Sequence, residues 1–203
     1  MFLCFYMEDS KRWKEDKTIG DMTESIVEFL INSSENWKCV KYGMENHIED
    51  LRKLLKDNLD ETSRRIKSMP DFIAVNQKTN EIILIDVKYR SFIDRRNPPN
   101  LLYGFSYGQI KDYLEFWKDL KLLIVHNHEP YFIVVDMKDV EWHKHFHNRQ
   151  YRKKDNKMFE QWNFAGIQKD IKNLFPDLSD EIINKAIDMI PDRKPKNDSQ
   201  TTH

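Results

Sequence analysis

The apolar positions along the chain change period, and the changes mark its elements. From Ile19 to Ile31 they fall at Ile19, Met22, Ile26, Phe29 and Leu30, the spacing of one helix face. The charged residues 8–18 before it read as an irregular or helical lead-in. Trp37 to Tyr42 reads as a short strand, the first of a sheet. Phe72 to Val75 and Glu81 to Arg90 are runs rich in Ile and Val, separated by the polar Gln77-Lys78-Thr79-Asn80. That is the pattern of a β-hairpin. In the second run Ile82, Leu84, Asp86 and Lys88 share one face, and Ile83, Ile85 and Val87 the other. Both faces are apolar as far as Asp86, which predicts a central strand covered on both sides.

The other segments follow from the same patterns. Residues 45–68 predict a long charged helix or helix pair inserted between strands, with Leu51, Leu54, Leu55 and Leu59 among its apolar positions. Tyr89 to Tyr107 predicts a loop, because Arg95, Arg96 and Pro98-Pro99 cannot continue a strand. Gly108 to Lys121 predicts a helix. Leu122 to Val125 and Tyr131 to Val135 predict two strands joined by His126-Asn127-His128-Glu129-Pro130. Asp177 to Ile190 predicts a helix with Ser179 as N-cap. Its stripe of Ile182, Ile183, Ala186, Ile187 and Ile190 packs on the core or on a second subunit. The sequence thus predicts one α/β domain over residues 1–191, with residues 192–203 as a polar, disordered tail.

Composition narrows the function classes. The chain has 203 residues, enough for one domain with a sizeable core. It holds only 5 glycines and no GxGxxG or GxxxxGK pattern, which argues against a phosphate-cradling loop. Cys4 and Cys39 have no metal-ligand spacing and read as free thiols, so a reducing, cytoplasmic location is expected. Met1 to Met7 is apolar but lacks a basic flank and stops at Glu8-Asp9. It is too short for a signal peptide or a membrane span, so no membrane association is expected, and Met7 is an alternative start.

A net charge of −1 means that any surface for nucleic acid must be local. Two stretches qualify. Lys88, Arg90, Arg95 and Arg96 stand against Asp94 alone. Between residues 142 and 157, Lys144, Arg149, Arg152, Lys153, Lys154 and Lys157 stand against Asp155 alone, with Phe146 and Tyr151 interleaved. Either stretch suits phosphate contacts; the second also reads as a disordered loop. His143, His145 and His147 alternate there and on a strand would face one way. No fourth ligand is spaced to close a zinc site, so they are expected not to form one.

Asp86 and Lys88 ending an apolar strand call for a reason, since burying an unpaired carboxylate costs several kcal/mol, about 2–7 even for a neutral polar group. A bound cation is one reason and a plain ion pair is the other. Pro70-Asp71, followed on the next strand by Asp86-Val87-Lys88, resembles the signature of the PD-(D/E)xK nuclease superfamily. Three decoys lack that strand–turn–strand context: Asp136-Met137-Lys138, Pro176-Asp177 and Pro191-Asp192. The resemblance implies a restriction-endonuclease-like α-β-β-β-α-β core with a mixed sheet between helices. It implies Mg²⁺ or Mn²⁺ held by Asp71, Asp86 and the Val87 carbonyl, with Lys88 acting on the water or the phosphate. Glu24, with Glu28 as fallback, matches the additional acid of the first helix. Gln109-x-x-x-Tyr113 resembles an element of the RecB-like branch, though core packing explains Tyr113 equally well. The implied function is metal-dependent hydrolysis of DNA, exonucleolytic or selective for branched structures as in the dimeric Holliday-junction resolvases. A catalytically inactive nuclease-fold module that binds nucleic acid or a protein is the alternative. Two cysteines are too few for an iron–sulphur cluster.

Overall fold

The computed structural model describes residues 2–43, 55, 58–90, 102–152 and 157–191, with residues 2–16 and 152 described by backbone alone. Half of the expected insertion over 45–68 and all of the expected tail over 192–203 lie outside the described residues. Of the insertion, Glu61–Lys67 is seen as a helix, α2.

The first helix, α1, runs from Phe2 to Ser33 and so absorbs the charged lead-in. Its stripe of Ile26, Val27, Leu30 and Ile31 is fully buried. β1 (Trp37–Lys41), β2 (Phe72–Asn76) and β3 (Ile82–Arg90) form an antiparallel meander. The β2–β3 turn closes where expected, with Asn76 Oδ1 accepting the backbone N–H groups of Lys78 at 2.9 Å and Thr79 at 3.0 Å. β5 (Lys121–His126) lies parallel to β3, and α3 (Gln109–Phe116) is part of the crossover between them. β6 (Phe132–Asp136) and β9 (Gln168–Asp170) extend the sheet antiparallel, giving the order β1-β2-β3-β5-β6-β9. The fold is mixed α/β with a mixed central sheet and flanking helices.

Two cores cover the two faces of this sheet. On the first, α1 packs on Phe72, Ala74, Ile85, Val87, Leu123 and Val125. α5 (Ile171–Leu174) and α6 (Asp180–Asp188) join it there, and Trp37 meets Phe175 edge-on at 5.3 Å. On the second face Leu122, Ile124, Ile133 and Val135 pack against Ile110 and Tyr113 of α3 and against Tyr103, Phe105 and Trp162. β3 is therefore central and covered on both sides.

Four expectations are corrected. Part of the expected loop, Leu102–Ser106, is a strand, β4. It pairs with β8 (Lys157–Asn163), which pairs with β7 (Phe146–Arg152), and these three make a second sheet. β4 pairs only with residues far along the chain, so its own five residues carry a weak signal. The expected helix over 108–121 stops at Phe116, and Lys121 already belongs to β5. His143 and His145 sit on a short helix, α4 (Trp142–His145), not on a strand with His147. The last helix is shorter than expected, although Ser179 caps it, its Oγ accepting Ile182 N–H at 3.3 Å. No helix among the described residues is long and apolar enough to cross a membrane.

Trp162 is fully buried in the core shared by the two sheets, meeting Trp142 at 4.9 Å and Phe146 at 5.5 Å between ring centroids. Trp162→Ala is expected to cost about 3–5 kcal/mol in urea unfolding. An unchanged midpoint would mean that the second sheet does not dock there.

Candidate active site

The β2–β3 hairpin brings the two expected aspartates together. Main-chain pairing between the strands reaches Phe72 opposite Ile85 and stops. Asp71 then substitutes its side chain for the missing ladder partner, and its Oδ2 accepts the Val87 N–H at 2.7 Å. Asp86 and Lys88 are two residues apart on β3 and point to the same face, the one under α3. Asp86 is 2% exposed. The Lys88 ammonium lies 2.5 Å from Asp86 Oδ2 and 3.9 Å from Asp71 Oδ2, and it donates to the Val87 carbonyl at 3.0 Å.

This is a cation among three oxygens. The oxygens are those that the sequence assigned to a metal ion. Burial, followed by the Asp86 charge, pushes the Asp71 carboxyl up to about 6, although Lys88 and the Val87 N–H pull the other way. Burial works against the Lys88 charge, but Asp86, Tyr113 and Asp71 together outweigh it, and the ammonium holds its proton more tightly than usual.

A polar pair on α3 faces this cluster. Gln109 Nε2 donates to the Tyr113 hydroxyl at 2.7 Å, and the Asp86 charge is felt at that hydroxyl. Tyr113 is 1% exposed, and burial and then Asp86 push its phenol well above the usual range. Tyr113 is therefore core, with its polar end turned to Gln109 and the charged cluster.

Glu24 and Glu28 separate clearly. Burial and then the Asp71 charge raise the Glu24 carboxyl, which pairs with Lys41 at 3.4 Å. Glu28, one turn on, acts instead on the buried thiol of Cys39, where burial and then Glu28 push the pKa up to about 11. Of the two acids Glu24 is the one coupled to the cluster. Lys41 was not singled out from the sequence, because nothing in an edge-strand lysine marks it.

The decoys have structural partners. Asp136 meets Lys121 at 2.5 Å and Lys138 at 3.2 Å. Asp177 accepts from Ser34 Oγ at 2.7 Å and from Asn36 N–H at 2.8 Å, tying the turn after α1. Pro191 offers its carbonyl to the Tyr89 hydroxyl at 2.9 Å.

The expected nucleic-acid contacts are less gathered. Arg90 is partly buried and donates to the Tyr89 and Gly104 carbonyls at 2.7 and 2.8 Å, over the Phe105 ring. Arg149 binds the buried Glu160 at 3.2 Å. Arg95, Arg96, Lys153 and Lys154 lie outside the described residues, as does the Arg152 side chain. The sequence reading passed over His126, opposite Arg90 across the parallel strands. Its Nδ1–H donates to the Pro130 carbonyl at 2.8 Å, and burial pushes its pKa down to about 4. Ending an apolar run on the same face as Leu122 and Ile124 was the signal that could have found it.

Among the described residues no group of three or more His, Cys, Asp or Glu side chains is gathered to hold a metal ion. His145 is buried and its Nδ1 accepts the Glu141 N–H at 2.8 Å, while His143 and His147 are exposed. At the cluster the donors are two carboxylates and one carbonyl. Those hard oxygens fit Mg²⁺ or Mn²⁺ in kind. Burial first, and a neighbouring carboxylate second, raise the proton affinities of Asp71 and Glu24. No protein-family model matches the chain, and no curated protein is similar to it.

The Asp71 shift has a measurable consequence. A carboxyl whose folded pKa lies above its unfolded value binds more protons when folded. Its stabilising share is complete below the unfolded value, about 3.9, and is lost as pH rises through about 6. In EDTA the urea midpoint of the wild type is expected to fall across that window relative to Asp71→Asn, which keeps an acceptor for the Val87 N–H. Parallel curves would contradict the shift.

Proposed function

We propose that this chain is a metal-dependent DNA nuclease of the PD-(D/E)xK kind that hydrolyses phosphodiester bonds. The observation that carries the reading is the meeting of Asp71, Asp86, the Val87 carbonyl and Lys88 at one point. The order α1, β1, β2, β3, α3, β5 within one sheet supports it, since it resembles the α-β-β-β-α-β core of restriction-endonuclease-like folds.

The residues divide the work. Asp71, Asp86 and the Val87 carbonyl would hold Mg²⁺ or Mn²⁺, with Glu24 close behind. Such an ion polarises a phosphoryl oxygen and makes a bound water acidic enough to attack. Lys88 stays charged and offers its ammonium to the negative charge that builds on the phosphate. Tyr113, steadied by Gln109, would sit against the charged cluster beside Asp86. Arg90, two residues beyond Lys88 on the same strand, is a candidate phosphate contact. Arg95 and Arg96, just past that strand in sequence, and the basic stretch of Arg149, Arg152, Lys153 and Lys154 are further candidate contacts. Homodimers that present two such sites would suit branched DNA.

A second reading rests on one distance. With Lys88 at 2.5 Å from Asp86, the pair is neutral by itself, as in an inactive module that keeps the fold and binds nucleic acid or a protein.

Cleavage of linear, single-stranded and branched DNA in Mg²⁺ is expected, with Asp86→Ala and Lys88→Ala lowering the rate by at least about 10²-fold. No cleavage of any form at high enzyme, with Asp86→Ala equal to wild type, rejects the nuclease. Calorimetry with Mn²⁺ separates the two readings. The nuclease shows heat that Asp71→Asn and Asp86→Asn remove, and the inactive module shows none.

A further inference from the structure

The second sheet has one face that is half buried and half bare. Tyr103, Phe105 and Trp162 project from it into the core and are at most 2% exposed. Farther along the same face the sheet passes beyond the core. Tyr107 N–H donates to the Met158 carbonyl at 3.3 Å, continuing the β4–β8 ladder, and Met158 stands opposite Tyr151 on β7. Tyr107, Met158 and Tyr151 therefore lie abreast on three strands, about 4.8 Å from strand to strand. They are 59%, 43% and 54% exposed. In the next row inward the Arg149 guanidinium lies 5.1 Å over the Tyr107 ring.

From this geometry we infer that the row Tyr107–Met158–Tyr151, with Arg149, binds the unpaired bases of a single nucleic-acid strand beside the candidate site. The inference rests on the nuclease reading for its ligand class and names the form of that ligand. Flat, exposed rings in a row match base faces, and a duplex hides its base faces in the stack. The strand pair carrying the row also lies in the most basic stretch of sequence, with six Lys and Arg against one acid over 142–157, and this complements a polyanion. The row leads into the site, because only Gly108 separates Tyr107 from Gln109.

The test is fluorescence anisotropy in EDTA, where no cleavage confuses the reading. A labelled oligothymidylate and a blunt duplex of equal length are titrated with the full chain. The single strand is expected to bind at least about tenfold more tightly than the duplex. Tyr107→Ala and Tyr151→Ala are each expected to weaken single-strand binding about tenfold and leave duplex binding unchanged. Tyr107→Phe and Tyr151→Phe keep the ring and are expected to bind like wild type, which separates stacking from misfolding. Alanine variants that bind the single strand as wild type does, or a duplex bound as tightly, overturn the inference. So does a wild type that binds neither and buries the row in a sedimenting self-association. Ring-dependent binding without cleavage in Mg²⁺ would reject the nuclease and keep the row; cleavage with indifferent row variants would do the reverse.

Discussion

The arrangement depends on one short contact, the Lys88 ammonium on Asp86 with Asp71 beyond it. Two carboxylates and an ammonium under two layers of apolar side chains cost several kcal/mol each to bring out of water. Mutual attraction offsets this only if every remaining polar atom finds a partner. The fold supplies a backbone N–H for Asp71, a carbonyl for Lys88 and the Lys88 ammonium itself for Asp86. Burial, and then the neighbouring carboxylate, still raise the proton affinities of Asp71 and Glu24.

The scaffold explains why the charges sit where they do. β3 is sealed on one face by α1 and on the other by α3 and the second sheet. Its apolar residues end at Val87, and the polar ones begin on the face toward α3. Were the strand one residue out of register, Asp86 and Lys88 would turn into the α1 core, where Ile85 and Val87 now pack. The ladder that ends at Phe72 and the side chain that replaces it at Asp71 pin that register.

The hairpin and its charges were legible because strict alternation makes the facing of every residue a matter of counting. Glu24 was preferred to Glu28 by its place in the motif alone; the physical difference between them lies in β1, whose Lys41 and Cys39 sit beside one acid each. The second sheet was not legible. β4 follows Pro98-Pro99, contains Gly104 and pairs only with distant β8. β8 hides its own pattern, since its buried face carries Glu160, 1% exposed and neutralised by Arg149. A carboxylate at an inward position reads as solvent-facing until its partner is known. His126 was missed for a related reason: a histidine at the end of an apolar run looks like the start of a loop.

One residue joins the two halves of the molecule. Gly108 takes φ +79°, a left-handed turn that side chains resist, although nothing lies within 4 Å of where its Cβ would stand. Conformation, not space, makes glycine the fitting residue there. That single turn carries the chain from the outermost rung of β4 into the first turn of α3. Tyr107 is thereby left on the bare face of the second sheet and Gln109 is aimed at Tyr113. A shift of the second sheet reaches Gln109 and its bond to Tyr113 through this turn, and reaches Arg90 of β3 through the Gly104 carbonyl. The aromatic row and the charged cluster are thus mechanically adjacent, although they belong to different sheets.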